Sequence, residues 1–114
     1  MKIKTPVIIV GGGLAGLTAA IHLLKIGIEV ILIEKNEFPK HKVCGEYISN
    51  EVLPYFQWLN IDIQELRPVS ISKLQFSIEN CLTINCMLPL GGFGVSRNAL
   101  DAFLYKKGVA AGCQ

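Results

Sequence analysis

Val7-Ile8-Ile9-Val10-Gly11-Gly12-Gly13-Leu14-Ala15-Gly16 is the stretch on which the fold turns. Its first four residues are β-branched, the composition of a strand buried on both faces. The glycines that follow satisfy G-x-G-x-x-G, a weak motif alone but a meaningful one directly after a strand and at the opening of a helix. From Leu14 to Ile26 the apolar residues Leu14, Leu17, Ala20 or Ile21, and Leu24 keep helical spacing, and Gly27 supplies the stop. Glu29 to Glu34 then reads as a second buried strand. Residues 6–34 therefore predict a βαβ unit with a right-handed parallel crossover.

Each glycine of the loop has a physical task. Gly11 permits the tight turn out of the strand. Gly13 has no side chain to hold a diphosphate away from the N–H groups at the helix start, and Gly16 lets the helix lie close on the sheet. The N–H groups of this turn, Leu14 and Ala15 included, together with the positive end of the helix dipole, favour an anion. Glu34 ends the second strand about 20 residues past the loop, where a carboxylate accepts hydrogen bonds from a ribose hydroxyl pair and repels a 2′-phosphate. The unit predicts a dinucleotide, disfavours NADP at this position, and does not separate FAD from NAD.

Beyond it, Lys35 to Glu46 is a polar loop. Ser49 and Asn50 are expected to cap a helical segment running to about Leu59, with Pro54 in its first turn or kinking it. The period then changes: Leu74, Phe76 and Ile78, and again Leu82, Ile84 and Cys86, alternate with polar residues. Two half-exposed strands joined around Glu79-Asn80-Cys81 predict an antiparallel hairpin over about 70–90. Leu90-Gly91-Gly92-Phe93-Gly94 reads as a flexible turn. A last helix is expected over 96–112, capped by Ser96, with Leu100, Phe103 and Leu104 on one face and Gly112 at its end.

Lys plus Arg number 11 against 9 Asp plus Glu in 114 residues, and no segment concentrates the cations, so nucleic acid is not implied as a partner. Hydrophobic residues make up 51% and mean hydropathy is +0.44, high for so short a chain. Small domains bury a small share of their surface, so the remainder of a longer chain, a second copy or a membrane is expected to cover part of it. Cys44, Cys81, Cys86 and Cys113 contain no C-x-x-C pair and no metal-ligand spacing, so no metal is expected and a reduced cytoplasmic setting fits. The basic start and apolar run superficially resemble a targeting segment, but Gly11-Gly12-Gly13 interrupts it and His22 and Lys25 fall inside its continuation. No transmembrane segment is predicted.

Three stretches together resemble the N-terminal part of FAD-dependent oxidoreductases of the para-hydroxybenzoate hydroxylase type, most closely the geranylgeranyl reductase-like branch. They are the glycine loop with Glu34, then Phe38-Pro39-Lys40-His41-Lys42-Val43-Cys44-Gly45-Glu46-Tyr47-Ile48-Ser49, and Gly94-Val95-Ser96-Arg97-Asn98-Ala99-Leu100-Asp101-Ala102-Phe103-Leu104. The second matches the family's basic residue before Cys-Gly, and the third its R-x-x-L-D-x-x-L helix. The resemblance implies FAD as cofactor, with Lys35 beside Glu34 at the site and Lys42 and Arg97 near its diphosphate or adenosine part. It implies that Cys44-Gly45 lines the approach to the flavin, and that Asp101 fixes the helix presenting Arg97. Arg97 and Asp101, four apart, also fit a plain surface ion pair, Lys42 a solvated charge and Cys44 a packing residue. His22 and His41 receive no catalytic role, and no catalytic residue is identified.

The expected fold is α/β: a partial FAD/NAD(P)-binding Rossmann-like parallel sheet with an antiparallel β-hairpin insertion, residues 1–114 forming the N-terminal part of an FAD-binding domain. The family continues with a further strand, a Gly-Asp segment at the ribityl chain and a substrate sheet, none of them within these residues. The parent activity implied is a flavin-dependent reductase or monooxygenase. A small-molecule, lipid-like substrate is implied by analogy, with NAD(P)H as an external reductant and a cytoplasmic location, free or peripheral to a membrane. An NAD-dependent dehydrogenase domain and a non-catalytic nucleotide-binding fragment are the rival readings.

Overall fold

The computed structural model describes residues 6–38, 42 and 46–114. The chain divides into two compact units, Met1–Cys44 with Arg97–Gln114, and Gly45–Ser96.

In the first unit β1 (Val7–Val10) pairs in parallel with β2 (Val30–Ile33), Val7 opposite Val30 and Val10 opposite Ile33. Helix α1 (Leu14–Lys25) connects them. It ends as the sequence predicts. Gly27 takes φ +83°, its N–H bonds the Leu24 carbonyl, and the Ile28 N–H bonds that of Leu23, a left-handed stop that satisfies two otherwise orphaned carbonyls. Helix α3 (Arg97–Ala110) closes on the same device at Gly112, φ +99°. Leu17, Ala20 and Ile21 of α1 and Leu100 and Leu104 of α3 are buried, and the two helices pack together with Gly108 against Ile21. On its second edge β2 exchanges backbone hydrogen bonds with Gln114 through Val30 and Leu32, and Val30 is buried.

β1 corrects an expectation. Val7, Ile8 and Val10 are exposed, Val10 by 82%, rather than buried on both faces. The β-branched run does form the strand. Among the described residues, however, β1 pairs only with β2, which leaves it at the edge of the ladder.

The second unit holds a three-stranded antiparallel sheet in the order β3 (Tyr47–Ser49), β5 (Ile84–Gly94), β4 (Val69–Phe76). Ser49 accepts the Glu51 N–H and starts a 3-10 turn that runs into α2 (Leu53–Trp58), with Pro54 in its first turn, where the missing N–H costs nothing. Phe56, Leu59, Ile61, Ile63, Phe93 and Val95 form the core. The Gly91–Gly94 segment is strand, not a flexible turn: Gly92 pairs with Ser49 on one side and Ile71 on the other. A Cβ on Gly92 would run into the Tyr47 ring, so the glycine is there to admit an aromatic side chain across the strand. Cross-strand partners Leu74 with Cys86 and Phe76 with Ile84 make one hairpin face apolar, and all four side chains are exposed. No helix among the described residues is long and apolar enough to cross a membrane.

Candidate functional site

The site grows from the end of β1. Gly11 adopts φ +108°, a conformation side chains rarely take, and its N–H bonds the Ile33 carbonyl at 2.8 Å, carrying the ladder one step past the strand. Gly13 is the N-cap of α1 in extended conformation, and its carbonyl accepts the Leu17 N–H at 2.9 Å. The N–H groups of Leu14, Ala15 and Gly16 therefore head the helix with no carbonyl one turn earlier to receive them. No acidic residue occupies this first turn. Gly16 meets the Gly11 carbonyl oxygen so closely that any Cβ would collide with it, and Ile9 of β1 lies 3.4 Å from the same point. Loop, helix and strand can approach only through that glycine.

Glu34 closes the loop from the other side. Its Oε2 accepts the Gly12 N–H at 2.7 Å, and Oε1 accepts the backbone N–H and side-chain amide of Asn36, both at 2.8 Å. These donors, the Gly12 N–H first, hold its pKa down to about 2 from the ordinary 4.5, with the Lys42 ammonium adding a smaller effect. The carboxylate is an anion at any ordinary pH, and three donors fix its orientation. Lys35 follows on the exposed bend after β2.

Asp101 is buried, with 1% of its side chain exposed. Arg97 grips it in a two-point contact, Nε to Oδ1 at 3.0 Å and Nη2 to Oδ2 at 3.3 Å. Lys42 reaches the same Oδ2 with its ammonium at 3.1 Å. The Arg97–Asp101 pair exists, but it is neither plain nor on the surface. Lys42 is no merely solvated charge either: its Nζ stands 3.7 Å from where a Gly13 Cβ would be. Cys44 and Gly45 lie outside the described residues.

Three participants escaped the sequence reading. Asn36 clamps Glu34. Phe38 lays its ring edge 2.7 Å from the position of a Gly12 Cβ and stacks on Tyr105 of α3, centroids 4.6 Å apart. Gly12, a glycine at the motif's unconstrained position, was the one available signal for that contact. Beside Glu34 a cavity of about 530 Å³ is lined by Leu17, Ala20, Leu32, Asn36, Phe38 and Tyr105, among others.

A glycine-lined turn, an unencumbered helix start and a fixed carboxylate at the end of β2 suit a dinucleotide, and comparison with known proteins decides which. The profile of the family described as "FAD binding domain" matches residues 4–63. The chain belongs to that family. Its cofactor is FAD. Digeranylgeranylglycerophospholipid reductase 1 of Methanosphaera stadtmanae is 31% identical over 117 aligned residues, which take in 98% of this chain and 28% of the reductase. Tryptophan 2-halogenase of Chondromyces crocatus is 44% identical over 56 residues, 49% of this chain and 10% of the halogenase. Among solved structures, a geranylgeranyl bacteriochlorophyll reductase-like protein from Thermoplasma acidophilum superposes with TM-score 0.75 at 24% identity, over 96% of this chain and 27% of that one. The flavin-dependent halogenase CmlS gives 0.81 at 23%, over 100% and 22%. At these identities the two structures speak for the fold alone. The chain thus spans under a third of the length of these relatives. It is the FAD-binding part of the para-hydroxybenzoate hydroxylase type of flavoprotein, and the rival reading as an NAD-dependent dehydrogenase domain falls with the family.

Proposed function

We propose that these residues form the adenosine-diphosphate half of the FAD site in a flavin-dependent reductase whose substrate is an isoprenoid or similar apolar chain. The observation that carries the reading is the 2.7 Å bond from the Gly12 N–H to Glu34, which sets the ribose acceptor rigidly against the phosphate loop. The N–H groups of Gly13, Leu14, Ala15 and Gly16 take the diphosphate, with Gly11 shaping the turn that aims them. Glu34 takes the ribose hydroxyls through the lone pairs its protein donors leave. Lys42 and Arg97 offset the diphosphate charge, Lys35 does so from the exposed side, and Cys44-Gly45 borders the flavin. Bound FAD supplies the two-electron chemistry, while this chain binds and orients it.

The reductase alignment takes in the hairpin and α3 as well as the βαβ unit, whereas the halogenase alignment covers about half the chain. That extent of sequence likeness supports reduction over halogenation. The electron donor in this reading is NAD(P)H. The protein works on the cytoplasmic side, free or peripheral to a membrane, and the rest of a longer chain or a second copy covers the apolar hairpin face. The test is the purified intact protein: it should be yellow, retain FAD, and saturate double bonds of a polyprenyl lipid with reduced nicotinamide, read by mass spectrometry. A colourless protein that takes up no FAD would overturn the cofactor assignment. A yellow protein that leaves polyprenyl lipids untouched would overturn the substrate class.

A further inference from the structure

Asp101 is the most deeply buried charged group among the described residues, and it serves two cations that are more open than itself. Arg97 keeps 14% of its side chain exposed and Lys42 33%, against 1% for the carboxylate. Both cations meet on this one carboxylate: Oδ1 accepts from Arg97 Nε, and Oδ2 from both Arg97 Nη2 and Lys42 Nζ. Two like charges drawn to one point repel each other unless an opposite charge stands between them, and a lysine on its flexible four-carbon stem moves out to water when nothing holds it. Here the Lys42 ammonium is held at 3.1 Å from Oδ2 and comes 3.7 Å from the Cβ position of Gly13, the residue that caps α1.

We propose that Asp101 is a positioning residue for the diphosphate: it holds the Lys42 ammonium over the phosphate loop and ties Arg97 to the same point, so that the anion meets cations already in place. The inference rests on the FAD reading above and deepens it. Asp101 is itself an anion, whose charge would repel a phosphate. Its effect passes through Lys42.

That opposition of sign makes the proposal testable by a double-mutant cycle in the intact protein, with FAD and ADP as probes in parallel titrations. Lys42→Met is expected to weaken both ligands about tenfold, the order for losing a hydrogen bond to a charged group. Asp101→Asn is expected to weaken them by a similar factor although it makes the site more positive. In the Asp101→Asn background Lys42→Met should then cost almost nothing. If Asp101→Asn tightens binding, or if the two effects simply add, the proposal is overturned. Coupled effects on ADP with no FAD uptake would leave the positioning role standing and remove the FAD reading. No binding of either probe to the native protein would overturn both. Should Asn at position 101 strand Arg97 in the interior and unfold the protein, the native protein carries the test. Under limiting acetic anhydride, Lys42 should label several-fold more slowly than the exposed Lys73, and ADP should slow it further. Equal labelling, unchanged by ADP, would overturn the proposal.

Discussion

Glu34 and Gly12, twenty-two positions apart, are joined by a 2.7 Å hydrogen bond from a backbone N–H to a carboxylate oxygen. The residue expected to read the ribose is thus also the residue that fixes the phosphate loop. Losing the charge at Glu34 disturbs both tasks, and Glu34→Gln is expected to weaken FAD binding by about tenfold, since a charge-assisted acceptor becomes a neutral one. Equilibrium titration of FAD into the intact variant checks this, and an unchanged dissociation constant would detach the carboxylate from the cofactor.

The same bond gives a pH signature. A carboxylate whose folded pKa is lowered stabilises the fold above its unfolded pKa and loses that contribution as pH falls through the folded value. For Glu34 the window runs from 4.5 down to about 2. Denaturant titrations across it should show a steeper loss of stability in the native protein than in Glu34→Gln. Parallel curves would mean that the Gly12 and Asn36 donors do not hold the carboxylate in the folded protein.

Gly13 and Gly16 should fail in opposite ways. A side chain at Gly13 has room beside Lys42, so Gly13→Val is expected to leave secondary structure intact and abolish FAD binding. Gly16→Ala drives a methyl into the Gly11 carbonyl, and the unit is expected to lose roughly 3 kcal/mol or more of stability. Circular dichroism melts alongside FAD retention separate the two outcomes.

Gly12→Ala meets the far edge of the Phe38 ring and the Glu34 stem rather than backbone. Its cost is expected to be about 1–3 kcal/mol, the usual range for overpacking. Phe38→Leu in the same background should recover much of it, because the obstruction is a side chain that can be replaced. A double variant as unstable as the single one would put the strain elsewhere.

Arg97→Ala removes the two-point partner of a buried carboxylate while leaving Lys42 on it. A stability loss of roughly 2–4 kcal/mol is expected, near the range for breaking a buried pair. A surface helix pair would cost at most about 0.5 kcal/mol. Thermal melts of the intact variant distinguish these.

The βαβ unit and the end of α3 were legible because their signals are local: Val7 to Val10 for the strand, glycines at set intervals, and Gly27 and Gly112 as helix stops. The hairpin showed through its alternation at Leu74, Phe76 and Ile84. What stayed hidden depends on what a residue meets across the fold. Gly91 and Gly92 look like a turn until Tyr47 is seen to lie across Gly92. Arg97 and Asp101 at helical spacing say nothing of burial, nor of Lys42, which reaches Asp101 from far away in the sequence. Asn36 has no motif at all, and its value lies in pointing an amide back at a carboxylate two residues earlier.

Among the described residues β4 is an edge strand of its sheet, and this bears on colloidal behaviour. Its outer N–H and C=O groups run along a strand whose one charge is Lys73, next to a bulge between Ile71 and Lys73, and whose neighbouring face carries Leu74, Phe76 and Ile84. Such a strand is a template for strand-to-strand growth, and a lone lysine beside a bulge is the kind of gatekeeper that interrupts it. Lys73 is therefore placed to interrupt such growth. Neutralising it by acetylation is expected to remove that interruption and favour strand-to-strand association.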